Sequence, residues 1–178
     1  EEGHLPTEIE PGTLTTRGYL DYDRSIAGPF TAHPKIDPVT GELIFFGYNA
    51  AGPLTAALSF GSVNADGIVR RFDRFETPFA SMVHDFIVTE GHVLFPILPL
   101  TGSMDRAMNG RPPYAWEPDK GSCVGVMKRN GTTKDIVWFR EDGQEMQDSN
   151  WDEAHRRALG VHVAGAASDL RDERGELL

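Results

Sequence analysis

Short apolar runs, broken at close intervals by turn chemistry, leave this chain little choice but a fold of antiparallel strands. Asp37-Pro38-Val39-Thr40-Gly41 is a turn, and the run after it, Glu42 to Tyr48 (ELIFFGY), is rich in β-forming side chains. Leu54 to Phe60 reads as a second strand. Val63 to Gly67 (VNADG) ends in Asp66-Gly67, a favoured tight-turn pair, before a return strand at Ile68 to Phe75. His84 to Thr89 and His92 to Leu98 are two more strands, pinched at Glu90-Gly91. Ser122 to Lys128 and Lys134 to Phe139 flank Asn130-Gly131, a strong hairpin signal. Such density predicts an all-β fold. The pattern alone leaves sandwich, barrel and propeller open, since no propeller repeat is visible.

Two regions depart from this rhythm. Residues 101–121 are loop-like, with a short helical turn expected at Ser103 to Met108. From Arg140 the chain turns polar. Asp148 or Ser149 could cap a helical stretch through Ala158, and Leu159 to Ala164 reads as a strand. The length of 178 residues suits one ordinary domain or a domain plus a fragment. The chain opens EEGHLPTEIEPGTL and closes RDERGELL, and both ends are expected to be cut from something longer.

Charge and cysteine content narrow the function. A net charge of −10 lacks the basic surface that phosphate backbones require, so no nucleic-acid partner is expected. No apolar run is long enough to span a bilayer. Cys123 is the one cysteine, which excludes an internal disulfide and a thiolate metal site. That fits a reducing compartment, and a cytoplasmic location is the expectation.

The histidines carry the remaining chemistry. His33 precedes Pro34, which restricts it to extended backbone and helps fix the ring's direction. His84 opens a strand, and His92 sits on a hairpin shoulder. His4 lies near the start of the chain, and His155 and His162 straddle a helix–strand break. None of these pairs has the i,i+4 spacing of a zinc-binding helix. Each is most simply a structural or exposed histidine, although two far apart in sequence can still meet at a propeller axis or barrel mouth. Asp85 is next to His84, but one residue on along a strand it should face the other way. Cys123 (GSCVGVM) reads as a small core residue, and Glu117 and Asp119 as solvated loop charges.

Two motifs closely resemble the iron-ligand segments of the carotenoid cleavage oxygenases, the family that includes the lignostilbene dioxygenases. The first is Phe30-Thr31-Ala32-His33-Pro34-Lys35, followed by Asp37-Pro38 and Thr40-Gly41-Glu42-Leu43. The second is Ser81 to Leu100 (SMVHDFIVTEGHVLFPILPL), with YAWEPDKGSCVGVMKRNG after it and EPGTLTTRG upstream. The resemblance covers roughly residues 1–139. It implies a seven-bladed β-propeller, of which this chain would hold several blades. On its axis the family carries a ferrous ion, Fe(II), held by four neutral histidines. His33 matches the first ligand and His84 the second. Glu2 falls where the family places a glutamate that accepts a ligand histidine's outer N–H. The implied reaction is oxidative cleavage by dioxygen of a conjugated carbon–carbon double bond, giving two carbonyl products from an apolar substrate. Membrane association is open for the parent enzyme. Stilbene-cleaving members carry a lysine before that glutamate. Glu1 stands there in this chain, which leans toward a carotenoid or apocarotenoid substrate.

The third and fourth histidine motifs of that family are absent. After Trp138-Phe139-Arg140 the chain continues EDGQEMQDSNWDEAHRRALGVHVAG, where His155 and His162 do not fit the family's context. This tail, residues 137–178, resembles the start of the C-terminal β-sandwich of isoamylase-type glycogen-debranching enzymes, with a join at Val137 to Arg140. The expectation is therefore an oxygenase propeller fragment over 1–139 and a divergent tail over 140–178, inactive on its own. A non-catalytic β module and a carbohydrate-related remnant, with Trp151 as its aromatic platform, are the alternatives.

Overall fold

The structure is a computed structural model and describes residues 2–140. In chain order its strands are β1 (Thr7–Ile9), β2 (Thr16–Tyr19), β3 (Lys35–Ile36), β4 (Leu43–Tyr48), β5 (Ala57–Val63), β6 (Val69–Glu76), β7 (Ile87–Val88), β8 (His92–Ile97), β9 (Leu100–Gly102), β10 (Tyr114–Trp116), β11 (Cys123–Lys128) and β12 (Val137–Arg140). One short helix, α1 (Met104–Met108), is capped by the Ser103 hydroxyl, which accepts from the Arg106 N–H. The described residues are thus all-β, with almost no helix. No helix among them is long and apolar enough to cross a membrane.

The chain divides into two compact units. The first comprises residues 1–86 and 100–116. Its main sheet is antiparallel, in the order β3-β4-β5-β6. β4 is a continuous apolar run because both of its faces are covered. Phe45 stacks on Phe30 on one side, with centroids 4.3 Å apart, and Phe46 meets Phe86 on the other, at 4.9 Å. Ile26, Phe30, Phe45 and Val63 form a buried cluster on the Phe45 side. β5 is buried throughout and runs small between Phe60 and Val63 for a steric reason. A Cβ on Gly61 would come within 2.4 Å of the Phe45 ring that lies opposite it.

Turn chemistry works as the sequence suggests. The Asp37 carboxylate accepts from the N–H groups of Val39 and Thr40, and its carbonyl accepts from Gly41, whose φ of 71° suits glycine. Between β5 and β6 the Asn64 side chain accepts from Asp66 and Ile68, with Gly67 at φ 80°. Two pairs of short strands complete the unit, β1 with β2 and β9 with β10.

The second unit comprises residues 87–99 and 117 onward. Its antiparallel sheet has the order β7-β8-β11-β12. Pro96 lies within β8, two residues past the last pairing with β7 at Leu94, where the strand is locally an edge that tolerates a missing N–H. Gly125 faces Trp138 across β11 and β12, and a Cβ there would meet the indole at 2.7 Å.

Several boundaries differ from expectation. Leu54 belongs to a left-handed loop, with φ 59°, rather than to a strand, and β5 starts only at Ala57. Of the expected strand His84 to Thr89, only Ile87–Val88 pairs in a ladder. The Asp85 carboxylate takes the Phe86 N–H instead, so side chain replaces strand partner. The expected strand at Lys134 to Phe139 begins as a 3-10 turn over Thr133–Asp135, closed by reciprocal bonds between Thr132 and Asp135. His155, His162, Trp151 and the debranching-enzyme resemblance lie outside the described residues.

Candidate metal centre

The first histidine is placed by its neighbours. Phe30 anchors the segment in the core, and the Thr31 N–H donates to the Phe46 carbonyl at 2.8 Å, tying it to β4. The Thr31 hydroxyl, buried, then accepts the His33 N–H at 3.0 Å. The chain runs so close to β4 here that a Cβ on Gly47 would sit 2.0 Å from the Pro29 carbonyl oxygen. Glycine is required at that approach. Pro34 completes the constraint on His33.

The second histidine hangs from a different piece of backbone. Ser81 bridges to Thr101, and the Met82 N–H donates to the Leu100 carbonyl, so β9 holds the entry to this segment. Val83 and Phe86 are buried and the two residues between them, His84 and Asp85, are exposed.

These segments, fifty residues apart, meet. Nε2 of His33 lies 2.9 Å from Nε2 of His84, with the rings edge to face at 70°. On the far side of His84, Nδ1 lies 2.9 Å from Oε1 of Glu2. That distance is hydrogen-bond length, yet the alignment is poor and Oε1, itself buried, makes no well-directed hydrogen bond. The contact is a carboxylate charge against a polar N–H. A proton on Nδ1 would suit that charge and would leave Nε2 of His84, the atom that faces His33, with its lone pair. Glu2, His33 and His84 each offer one ligand atom, all within 4.8 Å of one another.

A cation suits this arrangement. Two imidazole nitrogens at about 2.1 Å from one metal, at right angles, would stand about 3.0 Å apart. The observed 2.9 Å matches that spacing. Two bare lone pairs at that distance would otherwise repel, so one ring must donate a proton or a cation must lie between them.

Asp85 does not serve His84, in keeping with its expected direction. It pairs with Lys35, Nζ to Oδ1 2.7 Å, and the same oxygen accepts the Phe86 N–H at 2.8 Å. Burial acts to raise the Asp85 carboxyl, but the hydrogen bonds from Lys35 and Phe86 and the Lys35 charge outweigh it and hold it below its usual value. The sequence reading missed this pair. The signal was available: a lysine two residues after one histidine, an aspartate directly after the other.

The other candidates are elsewhere. His4 packs against Tyr19 at 5.2 Å between centroids. His92 is on the hairpin shoulder as expected. There its Nε2 is buried without a hydrogen-bond partner among the described residues, and burial together with the Lys128 charge pushes its pKa down. Cys123 is buried, which pushes its thiol up to about 11, so it is a packing residue rather than a nucleophile. Asp119 is exposed and Glu117 partly so.

Residues 1–148 match the family described as retinal pigment epithelial membrane protein. The chain belongs to that family. The match runs past the join expected at Val137 to Arg140. Among its relatives, the chain is 43% identical over 141 residues to isoeugenol monooxygenase of Pseudomonas putida, covering 79% of this chain and 30% of that one. It is 37% identical over 147 residues to resveratrol cleavage oxygenase 1 of Chaetomium globosum, covering 80% and 25%. The solved lignostilbene dioxygenase of Pseudomonas brassicacearum superposes with a TM-score of 0.75 at 41% identity, over 79% of this chain and 29% of that one. The cobalt-substituted apocarotenoid oxygenase of Synechocystis gives 0.67 at 25% identity, over 79% and 31%. This member of an oxygenase family thus spans under a third of the length of the relatives it matches.

Proposed function

We propose that His33 and His84 are two ligands of a ferrous centre and that Glu2 orients His84, in a dioxygenase of the carotenoid- and stilbene-cleaving kind. The observation that carries this reading is the 2.9 Å convergence of the two Nε2 atoms, with Glu2 behind one ring. Bound there, the iron would supply the activation of dioxygen for cleavage of a conjugated double bond into two carbonyl products. Imidazole ligands are neutral and leave the charge of the metal undiminished. Glu2 acts from behind: its carboxylate keeps the proton on Nδ1 of His84 and the lone pair on Nε2. Thr31 and Pro34 fix the His33 backbone, so its ring need not be ordered when the metal arrives. Each four-stranded sheet is read as one blade of a propeller of the family type.

Two imidazoles are a partial set beside the four that the resemblance implies. This chain alone is expected to bind iron weakly and to cleave nothing. The substrate is read as an apolar conjugated alkene. The residue before Glu2 favours a carotenoid or apocarotenoid, whereas the isoeugenol, resveratrol and lignostilbene oxygenases, the more similar of the relatives named above, favour a phenylpropene or stilbene.

Anaerobic titration of the purified chain with Fe(II) tests the centre. Weak saturable binding, lost in His33→Ala and in His84→Ala, is the expected result. Binding untouched by both substitutions overturns it. Aldehyde released by the chain with Fe(II) and air, from an apocarotenoid in one arm and isoeugenol or a stilbene in the other, would show a more complete site and identify the substrate class.

A further inference from the structure

We propose that the Lys35–Asp85 ion pair is a positioning latch that holds the His33 and His84 imidazoles converged. The proposal rests on the metal-centre reading above and assigns a task to two residues that this reading leaves unused.

The two histidines hang from separate backbone anchors. Thr31 ties the first segment to β4, and Ser81 and Met82 tie the second to β9. Neither anchor fixes the distance from one ring to the other. Lys35 and Asp85 link the two segments by side chains, within two residues of His33 and one of His84. Nζ and Oδ1 are 2.7 Å apart. The joint is ordered from both sides. Asp85 Oδ1 also accepts the Phe86 N–H, and the ammonium lies 5.5 Å from the Phe86 ring centroid. Phe86 is buried and packs on Phe46 of β4. The carboxylate and ring that receive the lysine therefore belong to the segment that carries His84, and that segment is seated on the strand to which Thr31 ties His33.

Stability is a poor reason for this pair. Its side chains are 33% and 48% exposed, and exposed ion pairs contribute little to folding. Geometry is the better reason. A small swing of either segment would separate nitrogens that stand 2.9 Å apart. Residues that hold ligands in place weaken metal binding about 10-fold when removed.

The test uses the full chain with Co(II) as probe, in three variants: Lys35→Met, Asp85→Asn and Lys35→Arg. A second readout needs no metal: nitrogen-15 NMR of the imidazoles, which reports the tautomer and order of His33 and His84. Lys35→Met and Asp85→Asn are expected to weaken Co(II) binding about 10-fold and to broaden or shift both imidazole spectra. The urea midpoint should stay in place, and Lys35→Arg should restore most of the loss. Wild-type Co(II) affinity in Lys35→Met, or unchanged His33 and His84 spectra, overturns the latch. A wild-type chain that binds no Co(II) overturns the metal-centre reading instead. The latch is then decided by the imidazole spectra alone, unchanged signals in Lys35→Met refuting it.

Discussion

In the β3-β4-β5-β6 sheet, Gly61 lies opposite Phe45; in the β7-β8-β11-β12 sheet, Gly125 lies opposite Trp138. Each missing Cβ makes room for a ring from the neighbouring strand, so both sheets meet the same packing problem in the same way. Their polar residues differ. Around the first sheet, His84, Asp85 and Lys35 each have a polar partner through a second atom or a neighbour. In the second, the reactive types are His92 and Cys123. His92 has a buried ring nitrogen with no hydrogen-bond partner among the described residues, and the buried Cys123 thiol is raised to about 11. A histidine or cysteine becomes a candidate for chemistry when its free atom is aimed by a polar partner, and a packing group when burial alone surrounds it.

Removal of the central rings tests that contrast most severely. Phe46→Ala and Phe95→Ala each empty a buried aromatic site and should cost about 3–5 kcal/mol in urea denaturation. Only Phe46→Ala should also weaken metal binding, because Phe86 and the segment bearing His84 rest on it. Equal effects on metal binding would erase the distinction between the sheets.

The glycines come next. Gly61→Ala should cost about 3 kcal/mol, since the new methyl meets the Arg71 carbonyl at 2.8 Å as well as the Phe45 ring. Gly125→Ala should cost about 1 kcal/mol, because the nearest atoms to the new methyl belong to the indole of the partly exposed Trp138 and that ring can shift. Paired thermal melts would show a reversed order if the Trp138 ring is the less adaptable one.

Smaller in stability, though not in function, is the histidine pair. His84→Ala should remove metal binding and cost under about 0.5 kcal/mol, as expected for an exposed side chain. His92→Ala should leave metal binding unchanged in the same titration.

The smallest effect is on pH dependence. His92 has its folded pKa pushed below the ordinary histidine value of about 6.5, by burial and then by Lys128. The unfolded chain therefore takes up a proton at His92 more readily than the folded one. Its contribution to stability is full above about pH 6.5 and falls as the pH drops below that value. Denaturation between pH 7.5 and 5.5 should show a shallower decline in His92→Leu; an unchanged slope would place the cause in another group.

Much of the framework could be read from the chain because turns are local. Asp37 to Gly41 and Asn64 to Gly67 close on side-chain and backbone bonds within a few residues, and Asn130-Gly131 on the bond from the Gly131 N–H to the Lys128 carbonyl, so composition reports them directly. The reading failed where local backbone geometry and side-chain bonding overrode strand propensity. Leu54 has a β-compatible neighbourhood, but Asn49, Gly52 and Leu54 itself take positive φ, and the strand starts late. His84 to Phe86 looks like a strand, but the Phe86 N–H is taken by the Asp85 side chain.

By itself the sequence determined the strand-rich class, the turn positions and, through two short motifs, which histidines to watch. These are properties of neighbouring residues and of residue types. The tertiary structure alone decided that His33 and His84 face each other at 2.9 Å, that Glu2 takes the far nitrogen of one of them, and that Asp85 answers to Lys35. Fifty residues of chain lie between His33 and His84, and no local pattern encodes the distance between groups so far apart in sequence.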